Sequence, residues 1–175
     1  MLFLIVFLTG ILFFISNKFR NQEIIIKEYT NPRLQYSFSY HSNYHLTEYK
    51  RSSSIREHTT LKKDTKYELA GESLVLKKGV LINFAEYLGK DITEDELLEE
   101  TKGYIPRTLK KRLINQTEGF EINQQIYYKP KIIYVQYEDT KLEIYPEFGS
   151  ENTEEENNSY LQDLEEILSS LDFSS

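Results

Sequence analysis

LQYSFSYH, residues 34–41, alternates apolar and polar side chains without a break. As a strand it puts Leu34, Tyr36, Phe38 and Tyr40 on one face and Gln35, Ser37, Ser39 and His41 on the other. Such an aromatic face either stacks a ligand or forms half of a core. The rest of the chain decides between the two.

Two segments downstream read as helices that need a surface to cover. In residues 158–173, NSYLQDLEEILSSLDF, the residues Leu161, Leu164, Leu168 and Leu171 recur at helical spacing, and Ile167 widens the stripe. Ser159 and Gln162 have the capping-box spacing there. In residues 91–100, DITEDELLEE, Thr93 and Glu96 form a second capping box, and Ile92 and Leu97 sit where a hydrophobic staple pairs. Leu97, Leu98 and Thr101 are expected to face inward, with Gly103 and Pro106 ending the helix.

Strands outnumber helices. Tyr44–Lys50 is expected to return antiparallel on residues 34–40 after the turn at His41–Asn43. Ser52–Lys66 is polar and weakly patterned, and reads as a loop with room for one short strand. Leu74 and Leu76, then Val80, Ile82 and Phe84, alternate around Gly79, which marks a bulge or tight turn. After a turn at Glu118–Gly119, the segments 120–128, 131–137 and 142–145 read as a meander, followed by an acidic loop over 149–158. Ile24–Ile26 is a short first strand or the end of a stalk. Helices that are amphipathic on one side require a sheet, so the expected fold class is α+β, an antiparallel β-sheet flanked by helices. Within it the aromatic face of residues 34–40 belongs to the core.

The chain opens with MLFLIVFLTGILFFISNKFR, which carries no charge before Lys18. As a helix, residues 1–19 span about 28 Å, close to the hydrocarbon thickness of a bilayer. No small residue stands where a signal peptidase would need one, so the segment reads as an uncleaved signal-anchor; a cleaved signal and a buried core helix are the alternatives. Lys18 and Arg20 follow the span, which by the positive-inside rule would keep the domain in the cytoplasm. The place of so short an anchor at the start of the chain argues for export, and an extracytoplasmic domain is the reading adopted. The division expected is 1–19 transmembrane anchor, 20–30 linker and 31–175 globular domain.

Residues Tyr29 and Asn31, the strand Tyr36-Ser37-Phe38 with Tyr40, and the closing Ile167, Leu168, Ser169, Leu171 and Phe173 resemble small bacterial membrane-anchored proteins of the PsbP-like superfamily. His41, Ser42 and Tyr44 stand where that superfamily usually continues with Pro and a later Trp. The resemblance implies an α/β/α sandwich. It implies no catalytic, metal or cofactor residue here.

Net charge is −7, which argues against nucleic acid, whose affinity comes from Lys and Arg neutralising phosphates. The short basic run Lys110, Lys111 and Arg112 reads as a solvated face. With no cysteine, thiol catalysis, disulfides and thiolate metal sites are excluded. His41 and His45 are four apart but flank a turn, so they do not form a helical His pair for zinc. His58 is expected alone on a polar loop. Glu151, Glu154, Glu155 and Glu156 lack the order of a calcium loop. No nucleophile elbow or phosphate-binding glycine loop occurs. No catalytic, cofactor-binding or metal residue is therefore assigned. Two functions stay open: a non-enzymatic binding or assembly module with a protein or cell-envelope partner, and an enzyme whose active site is dispersed along the chain.

Overall fold

The computed structural model describes residues 25–32, 35–50, 56–88, 92–100, 102, 107–124, 128–138 and 140–173. The expected anchor at 1–19 lies outside the described residues, as do Leu34, Thr101, Gly103 and Pro106. Among the described residues no helix is long and apolar enough to cross a membrane.

The architecture is α+β and mostly β. Strands β1 (Ile26–Thr30) and β2 (Tyr36–His41) pair antiparallel, with Tyr29 opposite Phe38. The short C-terminal β10 (Asp172–Phe173) joins β2 on its other side and sets Phe173 opposite Tyr36. The remaining strands are β3 (His45–Lys50), β4 (Arg56–Ala70), β5 (Ser73–Leu88), β6 (Arg107–Ile114), β7 (Thr117–Gln124), β8 (Lys131–Tyr137) and β9 (Thr140–Phe148). They form one antiparallel sheet in the order β3-β4-β5-β9-β8-β7-β6. Helix α1 is Glu94–Glu100 and α2 is Glu154–Ser170.

The main core lies on one face of the large sheet. Val80, Ile82 and Phe84 of β5, Ile133 and Val135 of β8, and Leu142 and Ile144 of β9 are all buried there. Over them lie α2, through Tyr160, Leu164, Ile167 and Leu168, and the small sheet, through Tyr36 and Phe38. The amphipathic stripe of α2 thus does what its spacing predicts. A helix-flanked antiparallel sheet holds in coarse form, but the covering layer combines a helix with a second sheet.

That second sheet corrects the expected hairpin. The turn after His41 does not fold β3 back on β2. It carries the chain across, and β3 pairs with β4 instead, placing Leu46 opposite Leu61. Tyr44, buried in the turn, holds the crossing by donating its hydroxyl to Asp163 of α2 at 2.8 Å. β2 finds its partners in β1 and β10, the first and last strands among the described residues.

Other boundaries move for local reasons. α2 begins at Glu154, not after Ser159, because Thr153 is the N-cap and Glu156 completes its box. Glu154, Glu155 and Glu156 of the expected acidic loop occupy the first turn, where the helix dipole favours them, while Glu151 precedes the helix. Ser52–Lys66 is mostly strand, since β4 pairs with β5 from Arg56 to Ala70. Its hydrogen-bond partner sustains it without a strong apolar pattern of its own. β6 was not anticipated. It joins β7 through Asn115 and Gln116, both at positive φ as a type I′ turn requires, so Glu118–Gly119 lies inside β7. Leu98, expected to face inward, is 37% exposed.

Gly79 is the bulge position that its sequence context suggested. It has φ +87°, the β4–β5 register shifts beside it, and a Cβ there would collide with the Lys63 carbonyl. The buried Asn152 side chain takes the place of a pairing strand. Its Oδ1 accepts from the Gly79 N–H at 2.8 Å, and its Nδ2 donates to the Gly79 carbonyl at 2.9 Å.

Candidate binding surface

The second face of the large sheet is covered unequally. Leu97 of α1 packs on Ala85, Ile122, Ile132, Tyr134 and Tyr145. A helix of seven residues is about 10 Å long, whereas seven strands about 4.8 Å apart span nearly 30 Å. The β3-β4-β5 side therefore stays open, and a groove of about 530 Å³ runs along it.

Strand register builds the groove. Thr60 lies opposite Asn83, and Asn83 opposite Tyr145; one step along, Lys62 lies opposite Leu81, and Leu81 opposite Glu147. Asn83 is buried in the floor, and its Oδ1 accepts from the Thr60 hydroxyl at 3.0 Å. Its amide N–H groups make no hydrogen bond among the described residues. Glu147 is half-buried and likewise makes no hydrogen bond or ion pair among them. Burial pushes its carboxyl above the usual range, and Lys129 opposes that only in part. Lys129 lies 3.4 Å from the centre of the Tyr145 ring and 3.1 Å from Glu143. At the rim, Lys62 donates to the Tyr49 hydroxyl at 2.7 Å. Tyr49 and Tyr67 are 45% and 44% exposed, and the Lys62 ammonium lies over one face of the Tyr49 ring, 5.4 Å from its centre.

From Tyr67 the surface continues onto an arm. The pairing of β3 ends at Lys62 and that of β9 at Val80; residues 149–151 still hydrogen-bond to Leu76, Lys77 and Gly79, and beyond Leu76 the two strands pair only with each other among the described residues. In the arm's regular register, Tyr67 pairs with Leu76 and Leu69 with Leu74, so these four share one face. Leu69 and Leu74 are 69% and 70% exposed at its end. Such a row on a projecting hairpin is the kind of apolar patch that marks interaction sites.

A second cleft, of about 250 Å³, lies between the small sheet and α2. There His41 Nε2 is 3.0 Å from Glu166, and its Nδ1 is 3.8 Å from Asp163. Asp163 also accepts from Tyr44 and from Lys63, the latter at 2.7 Å, and so acts as a hub joining β4, α2 and the crossing turn. The two carboxylates approach opposite ring nitrogens of His41 and do not converge on one point. Among the described residues no cluster of His, Asp and Glu suits a metal ion.

The other residues singled out in the sequence are dispersed. His45 is exposed at the start of β3. His58 lies half-buried within β4, on the groove's margin, and not on a loop. Lys110 and Lys111 are exposed, as a solvated face requires, whereas Arg112 is mostly withdrawn from solvent: Lys110 and Arg112 both reach Glu121, at 2.8 and 2.6 Å, and Arg112 also reaches Glu165 of α2. Burial works to raise the Glu121 carboxyl, but hydrogen bonds from Lys110, Asn123 and Arg112, with Lys131 nearby, outweigh it and hold it at about 2. The groove residues Tyr49, Tyr67, Asn83, Tyr145 and Glu147 carried no motif. They meet only through the register of four strands, which local patterning does not encode.

Compared with known proteins, the chain matches no family model, no curated protein and no solved structure.

Proposed function

We propose that this chain is a membrane-anchored, extracytoplasmic binding or assembly module without catalytic activity. One observation carries the reading: a groove rimmed by half-exposed tyrosines continues into an arm whose end leucines are exposed. Burying such a surface against a partner is favourable in proportion to the apolar area removed from water. The uncharged apolar segment at residues 1–19, long enough as a helix to cross a bilayer, supports the anchor. The α/β/α sandwich and the PsbP-like relationship belong to the same proposal, supported by α1 and α2 packing on opposite faces of one antiparallel sheet and by the aromatic opening strand.

The alternative, an enzyme with a dispersed site, draws on His41 lying between two carboxylates in a cleft. Asp163 is already bonded to Tyr44 and Lys63, which favours a structural use of that cluster.

The test is photo-crosslinking from position 69 of the full-length chain in intact cells, with extraction of the membranes at high pH. The expected result is a membrane-retained chain and a discrete adduct that Leu74→Ser removes. A chain released into the soluble fraction, or no adduct from the arm, overturns the proposal.

A further inference from the structure

We infer that the groove between Tyr49 and Glu147 takes a neutral, hydroxyl-rich sugar ring of a glycan chain. This rests on the binding-module reading and names the ligand class of the same site. The volume, about 530 Å³, lies within the range of about 300–1,000 Å³ usual for small-molecule sites.

The side chains define what fits. The floor offers a donor, the Asn83 amide, and an acceptor, Glu147, on neighbouring strands and one face, Glu147 standing two residues along β9 from Tyr145, the partner of Asn83. A ligand without polar groups would strip both of water and leave them unpaired, at a cost. Sugar hydroxyls donate and accept at once, and so satisfy both. The rim offers the Tyr49 and Tyr67 faces, which carry the negative side of the aromatic quadrupole. The C–H edges of a pyranose ring are apolar and weakly positive, and stack on such faces.

Charge here is mixed: Lys62 lies against Tyr49 at the rim, Glu147 stands on the floor, and beside Tyr145 the ammonium of Lys129 is paired with Glu143 at 3.1 Å. Neither a cation nor a polyanion meets a surface of one opposite sign, which favours a neutral ring.

The experiment is calorimetric titration of the full-length protein, held in a sugar-free zwitterionic detergent. The probes are an N-acetylglucosamine tetrasaccharide, a glucose tetrasaccharide and tetralysine. Saturable binding of at least one tetrasaccharide is expected. Tyr49→Ala and Glu147→Gln should each weaken it about tenfold or more, the scale of a lost anchor contact. Tyr49→Phe should preserve it, because the ring remains, and Leu113→Ser, at an exposed position of β6 on the far edge of the sheet, should leave it unchanged. Thermal melting of each variant checks the fold, and Tyr49, being at the rim, is dispensable to it. Binding that survives both Tyr49→Ala and Glu147→Gln, no binding of either sugar at roughly millimolar concentration, or tighter binding of tetralysine overturns the sugar assignment. The broader reading is judged separately: a position-69 adduct that persists without sugar binding leaves the module standing, and loss of both defeats the two together.

Discussion

The Phe38 ring lies flat on the Phe84 ring, with centroids 4.3 Å apart and planes 3° from parallel. One residue belongs to the small sheet and the other to the centre of the large sheet, so this pair joins the two. Tyr36 extends the junction: it stacks near Phe84 and donates its hydroxyl to the buried Glu86 at 3.0 Å. Asn31 donates to the same Glu86 oxygen at 2.8 Å. The aromatic face of β2 is thereby used by the fold.

Phe38→Ala is expected to cost about 3–5 kcal/mol, as for other buried phenylalanines, because the cavity opens between two sheets that cannot both collapse. Urea denaturation of the full-length chain measures it. An unchanged midpoint would mean that β2 is not part of the core.

Leu168→Ala should cost about 2–5 kcal/mol. Leu168 is 1% exposed on the buried face of α2, within the same core as Phe38. A loss below about 0.5 kcal/mol, the range of ordinary surface changes, would show that the stripe faces something other than its own sheet.

Gly79→Ala tests the bulge. The substitution meets a positive φ and the Lys63 carbonyl together, and displaces the backbone that Asn152 holds. Asn152→Ala, which leaves the Gly79 N–H and carbonyl without that amide, should cost about 1–3 kcal/mol. Gly79→Ala should cost more than Asn152→Ala in the same denaturation series. The reverse order would contradict the account of the bulge.

Glu121→Gln separates charge from shape. The Glu121 carboxyl is held at about 2 against an ordinary 4.5. A lowered folded value means that its contribution is complete above about pH 4.5 and is lost as the pH falls toward 2. At pH 7 the variant should be less stable by about 1.5–3 kcal/mol, the scale of hydrogen bonds to a charged group. The gap between variant and parent should close as the pH falls through that window. A gap independent of pH would locate the effect in packing.

Much of the fold was legible because it is written locally. The α2 stripe, the capping box at Thr93, the bulge at Gly79 and the meander of β7, β8 and β9 each depend on neighbours a few residues apart. What was not legible depends on distance. β4 has one fully buried aliphatic residue, Leu61, and is a strand because β5 pairs with it. β6 reads as a basic run because its charges are satisfied by Glu121 and Glu165, from other elements. The division into two sheets turns on Tyr44 reaching Asp163, 119 residues away. The groove was hidden for the same reason: Tyr49, Asn83 and Glu147 become neighbours only once β3, β4, β5 and β9 are in register.

The most direct test of the binding surface is hydroxyl-radical footprinting of the full-length chain, comparing intact cell envelopes with the purified protein. The account predicts protection in the envelope at Tyr49, Tyr67, Leu69 and Leu74, with Phe38 and Phe84 equally unreactive in both. Full reactivity of the arm and groove in the envelope, or protection confined to the His41 cleft, would contradict it.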